Sequence, residues 1–91
     1  MNEKQISFEE LCGMIDKWNE ERKSPYIRIL FRKGYDLNEL TGSATFETLR
    51  GPDYIKWQSP AYISIEKECI PIDCIKELEY EGCVYKVKQR H

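Results

Sequence analysis

The chain has 91 residues, of which 41% are hydrophobic and 33% are charged, and its net charge is −2. So short a chain fills one core, and we therefore expect a single domain spanning residues 1–91. Nucleic-acid-binding domains usually carry a clear basic excess, so any RNA contact must come from local clusters of Lys and Arg. Apolar runs are too short to cross a membrane, and no apolar export signal opens the chain. We predict a soluble, cytoplasmic protein with no membrane partner.

An amphipathic helix over about residues 8–22 is the first predicted element. Ser7 and Glu10 match a capping box, which is typical of a helix N-terminus. Pro25 ends the helical stretch, because the residue before a proline avoids helical dihedral angles. Apolar residues recur within the helix at steps of three and four and form one stripe: Phe8, Leu11, Ile15 and Trp18. We expect this stripe to pack against a sheet.

From Tyr26 onward the apolar period changes to two, which is typical of strands. Over residues 26–33, one face of the first strand carries Ile27, Ile29 and Phe31, and the other carries Tyr26, Arg28, Leu30 and Arg32. Lys33 and Gly34 indicate a turn. The segment 35–40 is compatible with an irregular loop or with a helical turn.

The remaining segments predict further short strands separated by turns about 8–12 residues apart. They are a strand over 40–50 with Gly42 as a candidate bulge, a turn at 51–53, strands over 54–58 and 61–67, a connector at Pro71, and a hairpin over 77–87 that turns at Glu81-Gly82. We therefore predict an α+β fold, with the N-terminal helix packed on a small, mainly antiparallel barrel or rolled sheet of five or six strands. Its general shape would be Sm-like or SH3-like.

The residues that usually carry catalysis or bind metals are sparse. The four cysteines, at positions 12, 69, 74 and 83, form no C-x-x-C pair, and the single histidine is the last residue, His91. We therefore expect reduced, buried thiols, no metal, no cofactor and no histidine-based catalysis. The chain is predicted to have no catalytic residue and not to be an enzyme. The remaining catalytic alternative requires four carboxylates to converge in one pocket: Glu66, Glu68, Asp73 and Glu77.

Basic and aromatic residues occur together at two places in the chain. Such mixtures can hold phosphates and stack unpaired bases, although Trp57 could equally fill the core. The candidate nucleic-acid-binding residues are Arg28, Arg32, Lys33, Lys56 and Trp57. We predict a non-catalytic binding module, with single-stranded RNA as its first candidate partner. The alternative is a protein-interaction or self-associating regulatory domain, because open sheet edges can add a strand from a partner or from a second copy.

The C-terminal third carries a family resemblance. Residues Ile70-Pro71-Ile72-Asp73-Cys74-Ile75 and Glu81-Gly82-Cys83-Val84-Tyr85, together with Lys17-Trp18 and Phe31-Arg32-Lys33-Gly34, resemble a small archaeal-type family of RNA-repair-associated domains that recognise cyclic RNA ends. The resemblance spans most of the chain and implies a small domain that contacts RNA. Where that family has a His-Arg pair, this chain has Asp73 and Cys74, a change that weakens phosphate recognition. No functional residue carries over at that pair.

Overall fold

A computed structural model of the chain describes residues 2–48 and 61–88, which form one helix, eight strands and a short 3₁₀ turn. The elements are β1 (Asn2–Ile6), α1 (Phe8–Glu20), β2 (Tyr26–Lys33), β3 (Asp36–Ser43), β4 (Thr45–Thr48), β5 (Ala61–Ile65), β6 (Glu68–Pro71), the 3₁₀ turn (Ile72–Cys74), β7 (Ile75–Tyr80) and β8 (Cys83–Val87). Within these residues, no helix is long and apolar enough to cross a bilayer.

The strands form two sheets. The larger has five strands in the order β1-β8-β7-β2-β3, all antiparallel except for the parallel pair β1 and β8. The smaller is an antiparallel sheet of three strands in the order β4-β5-β6. The chain passes from one sheet to the other at the buried Ala44, whose N–H donates to the carbonyl of Pro25 at 2.9 Å. This confirms the predicted α+β class with a rolled, mainly antiparallel sheet, although the described strands do not close into a barrel.

Helix α1 begins at the predicted capping box. The Ser7 hydroxyl accepts the Glu10 N–H at 3.0 Å, and the Glu10 carboxylate accepts the Ser7 N–H at 3.0 Å. The pKa of Glu10 is held below its usual value, first by the hydrogen bond that the Ser7 N–H donates to the carboxylate and then by the Ser7 side chain, because both favour the ionised form. The helix ends at Glu20, two residues before the predicted limit, and Arg22 follows in the left-handed region with φ 55°.

The core lies between the helix and the inner faces of both sheets. Trp18 joins the three layers, because its ring stacks on Phe46 of β4 at 5.7 Å and meets Tyr80 of β7 edge-on at 5.1 Å. The other buried apolar residues of this core are Ile6, Leu11, Ile15, Ile27, Ile29, Phe31, Ala44, Ile63, Ile65, Ile70, Ile72, Ile75, Leu78 and Val87. The predicted helix stripe and the inward faces of β2 and β5 therefore do face the core, as the apolar periods indicate.

Several predicted boundaries are wrong. Residues 36–40 form the first part of β3 and are neither loop nor helical turn, because their backbone pairs with β2. Strand β1, which the sequence did not predict, is polar and mostly exposed. The predicted strand over 40–50 is broken at Ala44, and the residues leading to the predicted connector at Pro71 form a further strand, β6. The predicted turn at 51–53 and strand over 54–58 lie outside the described residues.

Gly42 is not a bulge, because the pairing of β2 with β3 runs through eight consecutive residue pairs without a shift. Its role is steric: a Cβ at Gly42 would lie 2.9 Å from Cγ2 of Ile65, a fully buried side chain on β5. The predicted hairpin of β7 and β8 is confirmed. Glu81 and Gly82 both have positive φ, at 49° and 79°, as a two-residue turn with primed geometry requires.

Candidate functional site

The face of the five-stranded sheet turned away from the core, called here the outer face, carries the polar half of β2. Alternation places Tyr26, Arg28, Leu30 and Arg32 on this face. On β3 their cross-strand partners are Ser43, Thr41, Glu39 and Leu37. On β7, Glu79 lies opposite Arg28 and Glu77 opposite Leu30. Residues far apart in the chain therefore meet on this face.

Arg28 lies at the centre of an ion-pair cluster on the outer face, called here the Arg28 cluster. Its Nε donates to Oε1 of Glu79 at 3.0 Å, and its Nη1 donates to Oε1 of Glu39 at 3.3 Å. Its Nη2 lies 3.9 Å from Oε2 of Glu77, and the arginine side chain is only 25% exposed. The hydrogen bond to Glu79 is the main reason that the pKa of Arg28 is raised. One guanidinium is therefore shared among three carboxylates, and a phosphate would have to compete with them.

A second cation lies at the other side of the same acidic strip. Lys86 on β8 places its Nζ 2.8 Å from Glu3 of β1 and 4.0 Å from Glu77. The contact with Glu3 raises the pKa of Lys86. Of the three carboxylates of the Arg28 cluster, Glu77 is thus the one that also faces Lys86, while Glu39 lies on the far side, at the edge strand.

The predicted residues Arg32 and Lys33 lie at the tip of the β2–β3 hairpin, called here the hairpin tip (residues 32–35). Both are exposed, and so is the whole of Tyr35. Gly34 has φ 65°, in the left-handed region that the turn requires. Lys33 Nζ lies 3.3 Å from Glu68 at the start of β6. The tip therefore combines two cations and one aromatic ring, while Arg28 lies four residues along β2, roughly 13 Å away along the strand.

Two of the predicted nucleic-acid-binding residues, Lys56 and Trp57, lie outside the described residues.

The four carboxylates considered for catalysis lie in different surroundings. Glu68 pairs with Lys33, Glu77 belongs to the Arg28 cluster, and Glu66 and Asp73 are exposed. In the part of the chain that the structure describes, no group of three or more His, Cys, Asp or Glu side chains is placed to hold a metal ion.

The four cysteines, all of which the structure describes, form no disulfide. Three of them are half-buried, at positions 12, 74 and 83, whereas Cys69 is exposed on β6. The prediction that all four are buried is therefore wrong, most plainly for Cys69. Its side chain points away from the core because the neighbouring Ile70 takes the inward position on this strand.

Strand β3 forms one edge of the five-stranded sheet, and no described strand pairs with its free side. It has eight residues, six of them exposed, and it contains neither Lys nor Pro. The other sheet edges are shorter: β1 has five residues and includes Lys4, while β4 and β6 have four residues each and β6 ends at Pro71. Natural edges are usually protected by bulges, charged side chains (especially Lys) or Pro; β3 has no bulge, Lys or Pro, and its only charged residues are Asp36 and Glu39.

Sequence reasoning missed the exposed apolar and acidic residues of β3 because the segment was not predicted as a strand. The leucines of this segment, Leu37 and Leu40, are three residues apart, a spacing that does not indicate a strand with one apolar face. The chain matches no protein-family model, no curated protein and no solved structure. The resemblance to the RNA-repair-associated family therefore stays a prediction.

Proposed function

We propose that the chain is a non-catalytic binding module that binds an extended segment of a partner protein by strand addition at β3. The observation that carries the proposal is the long, unblunted edge of β3. In an edge strand, every second residue turns its N–H and C=O away from the sheet, so these groups are ready to pair with another strand. Main-chain hydrogen bonds of this kind supply affinity, while neighbouring side chains select the sequence.

The charge distribution favours a protein over a nucleic acid at this edge. Strand β3 carries Asp36 and Glu39 and no basic residue. Arg32 and Lys33 of β2 lie opposite Leu37 and Asp36 at the start of β3. At the middle of the edge, Arg28 already shares its guanidinium among three carboxylates, one of which is Glu39. Phosphate neutralisation is the main source of nucleic-acid affinity, and the half-exposed carboxylate of Glu39 at the middle of this edge would repel a phosphate backbone.

We place this module in a reducing compartment such as the cytoplasm. The support is that the four cysteines, all among the described residues, form no disulfide and that Cys69 is exposed. Disulfides form and persist in oxidising compartments, whereas thiols stay reduced in the cytosol. A free, exposed thiol such as Cys69 suits a reducing environment.

The test uses a phage-displayed library of random peptides and two proline variants of β3. Successive residues of an edge strand turn their N–H groups in opposite directions. Of the variants Leu37→Pro and Asn38→Pro, one therefore removes an outward N–H and the other removes a hydrogen bond to β2. Amide hydrogen exchange of the free chain shows which of the two faces outward, because the solvent-facing amide exchanges faster. The outward variant should keep the fold and lose the selected peptides.

A matched control places proline at the opposite edge of the same sheet, with Lys4→Pro in β1. This variant should bind the selected peptides as the unmodified chain does. Strand addition at β3 is ruled out if the library returns no extended binders, or if the binders tolerate the outward proline in β3.

The hairpin tip supports a second candidate function, contact with single-stranded RNA. Arg32, Lys33 and Tyr35 are exposed together there. Cations that hold phosphates beside a ring that stacks a base are the elements of single-strand recognition. The predicted residue Arg28 is a poor probe of this function, because Arg28→Glu would bring a fourth carboxylate into the Arg28 cluster and disturb the fold.

The RNA candidate is tested with a short, fluorescently labelled single-stranded oligonucleotide over a range of salt concentrations. Replacing Arg32 and Lys33 together by Gln should weaken binding and flatten its dependence on salt, because two phosphate contacts are lost. Tyr35→Ala should weaken binding with an unchanged salt dependence. The control removes two cations elsewhere, Lys17→Gln with Lys23→Gln. Equal binding by all variants would eliminate the hairpin tip as an RNA site.

A further inference from the structure

We infer that the segment bound at β3 is a basic one: it carries a Lys or Arg opposite Glu39 and an apolar residue two positions away, opposite Leu37. This inference rests on the proposed function and names the class of partner. It follows from the side chains that β3 presents on the outer face and from the charges that surround them.

Strand pairing fixes which side chains meet. Leu37, Glu39 and Thr41 share the outer face, because they pair across to Arg32, Leu30 and Arg28 on β2. A strand added at the free side of β3 would place its own outer-face side chains about 4.5–5.5 Å from these three, measured between Cβ atoms. The identities of Leu37, Glu39 and Thr41 therefore decide which sequence fits.

Glu39 attracts a cation. Its side chain is 54% exposed, and its carboxylate accepts a hydrogen bond from Arg28 at 3.3 Å. The same guanidinium makes its shorter hydrogen bond to Glu79 and also lies near Glu77. The three carboxylates thus exceed the positive charge of Arg28. The second cation of this face, Lys86, lies 4.0 Å from Glu77 at the other side of the cluster, so it does not compensate Glu39 at the edge. Opposite charges across a strand pair stabilise the pair, and like charges destabilise it.

Leu37 attracts an apolar side chain. It is 58% exposed and lies diagonally across from Leu30, which is half-buried on the same face. An aliphatic side chain placed beside Leu37 would cover its exposed side. The pattern that fits β3 is therefore an apolar and a basic residue with one residue between them, in either chain direction.

A second copy of this chain fits poorly as the occupant. Its β3 contains no Lys or Arg and would bring Asp36 and Glu39 to an edge that is already acidic. Its other free edge in this sheet, β1, carries Lys4, but the apolar residue two positions away is Ile6, which is buried in its own core. The partner is therefore a different protein with a basic, extended segment.

The experiment titrates the ¹⁵N-labelled full chain with three synthetic peptides and follows the amide shifts of β3. The peptides share the sequence Thr-Val-Thr-Xaa-Thr-Val-Thr, in which Xaa is Lys, Gln or Glu. Because a valine lies two positions from Xaa on each side, either chain direction offers the same pattern. We expect the Lys peptide to bind about threefold more tightly than the Gln peptide and about tenfold more tightly than the Glu peptide.

Two variants show whether Glu39 is the source of the preference. Glu39→Gln should remove most of the preference for the Lys peptide, and Glu39→Lys should reverse the preference in favour of the Glu peptide. Glu20→Gln, an equal loss of charge on α1, should leave the preference intact. If all three peptides shift β3 with equal affinity, or none does, basic selectivity is refuted. The library and proline experiment still decides strand addition independently.

Discussion

At the scale of single residues, Gly42 of β3 lies close to Ile65 of β5. A methyl group at Gly42 would come within 2.9 Å of Cγ2 of Ile65, which is fully buried. We predict that Gly42→Ala lowers the free energy of unfolding by about 1–3 kcal/mol. Gly13→Ala is the matched control, because a Cβ at this exposed helical position meets no atom within 4 Å.

Urea unfolding followed by circular dichroism measures both effects. Gly13→Ala should raise the free energy of unfolding by about 0.5–1 kcal/mol, because Ala loses less backbone entropy in a helix than Gly does. If Gly42→Ala proved as stable as the unmodified chain, the two strands would not be as close as described.

The capping box makes stability depend on pH through Glu10. Its pKa is lowered in the folded chain by hydrogen bonds from Ser7. A carboxyl group whose folded pKa lies below its unfolded value stabilises the fold at pH values above the unfolded pKa, and this contribution disappears as pH falls through the folded pKa. Glu10→Gln should therefore lower the free energy of unfolding at pH 7, and it should lower it by less at pH 3. Thermal unfolding at the two pH values measures the difference, and an equal loss at both would contradict it.

Removal of Arg28 should leave three carboxylates close together. We predict that Arg28→Met lowers the free energy of unfolding by about 1–2 kcal/mol, since hydrogen bonds to a charged group are lost on a partly exposed surface. Adding Glu79→Gln to this variant should recover part of the loss by relieving the repulsion. A double-mutant cycle in urea measures the coupling. Strict additivity of the two substitutions would show that Arg28 and Glu79 do not stabilise each other.

At the scale of secondary-structure elements, the β7–β8 hairpin carries a residue that the turn does not favour. Glu81 has φ 49°, and Asn before Gly is the preferred sequence for such a turn. We predict that Glu81→Asn raises the free energy of unfolding by about 0.5–1 kcal/mol. The melting temperature should rise by a few degrees, about 2–6 °C for a domain of this size. An unchanged or lower melting temperature would show that the contact of Glu81 with Tyr80 outweighs the turn preference.

The elements that the sequence predicted share a clear local signal. Helix α1 has a capping box and an apolar stripe, and β2 and β5 alternate between buried isoleucines and more exposed residues. Strands β1 and β3 have no such signal, because they lie at the two edges of the sheet and are mostly exposed. Their strand state comes from pairing with β8 and β2, which is a property of the assembled sheet.

In the candidate site too, local sequence indicated one part and not the other. Arg32 and Lys33 are neighbours in the sequence, so their meeting at the hairpin tip was predictable. Arg28 is bonded to Glu39 and Glu79, which lie 11 and 51 residues away in the chain. No local pattern indicates these partners, and without them the face around Arg28 looks more basic in the sequence than it is in the fold.

At the scale of the whole molecule, Trp18 holds the helix and both sheets together through Phe46 and Tyr80. Trp18→Ala should lower the free energy of unfolding by about 3–5 kcal/mol, because it leaves a cavity where three layers meet. Trp18→Phe should lower the free energy of unfolding by less, since an aromatic ring remains to stack on Phe46. For Trp18→Phe, the far-ultraviolet and near-ultraviolet circular dichroism signals should still change together in a single unfolding transition. Two separate transitions in the unmodified chain would show that the sheets do not share one core.

The measurement that tests the binding proposal most directly is amide hydrogen exchange along β3 with and without the peptide in which Xaa is Lys. Strand addition forms new hydrogen bonds only to outward-facing amides, so the account predicts slower exchange at every second residue of Asp36–Ser43. The exchange rates of β1, at the other edge, should not change. Uniform protection along β3, or protection confined to residues 32–35, would contradict strand addition at this edge.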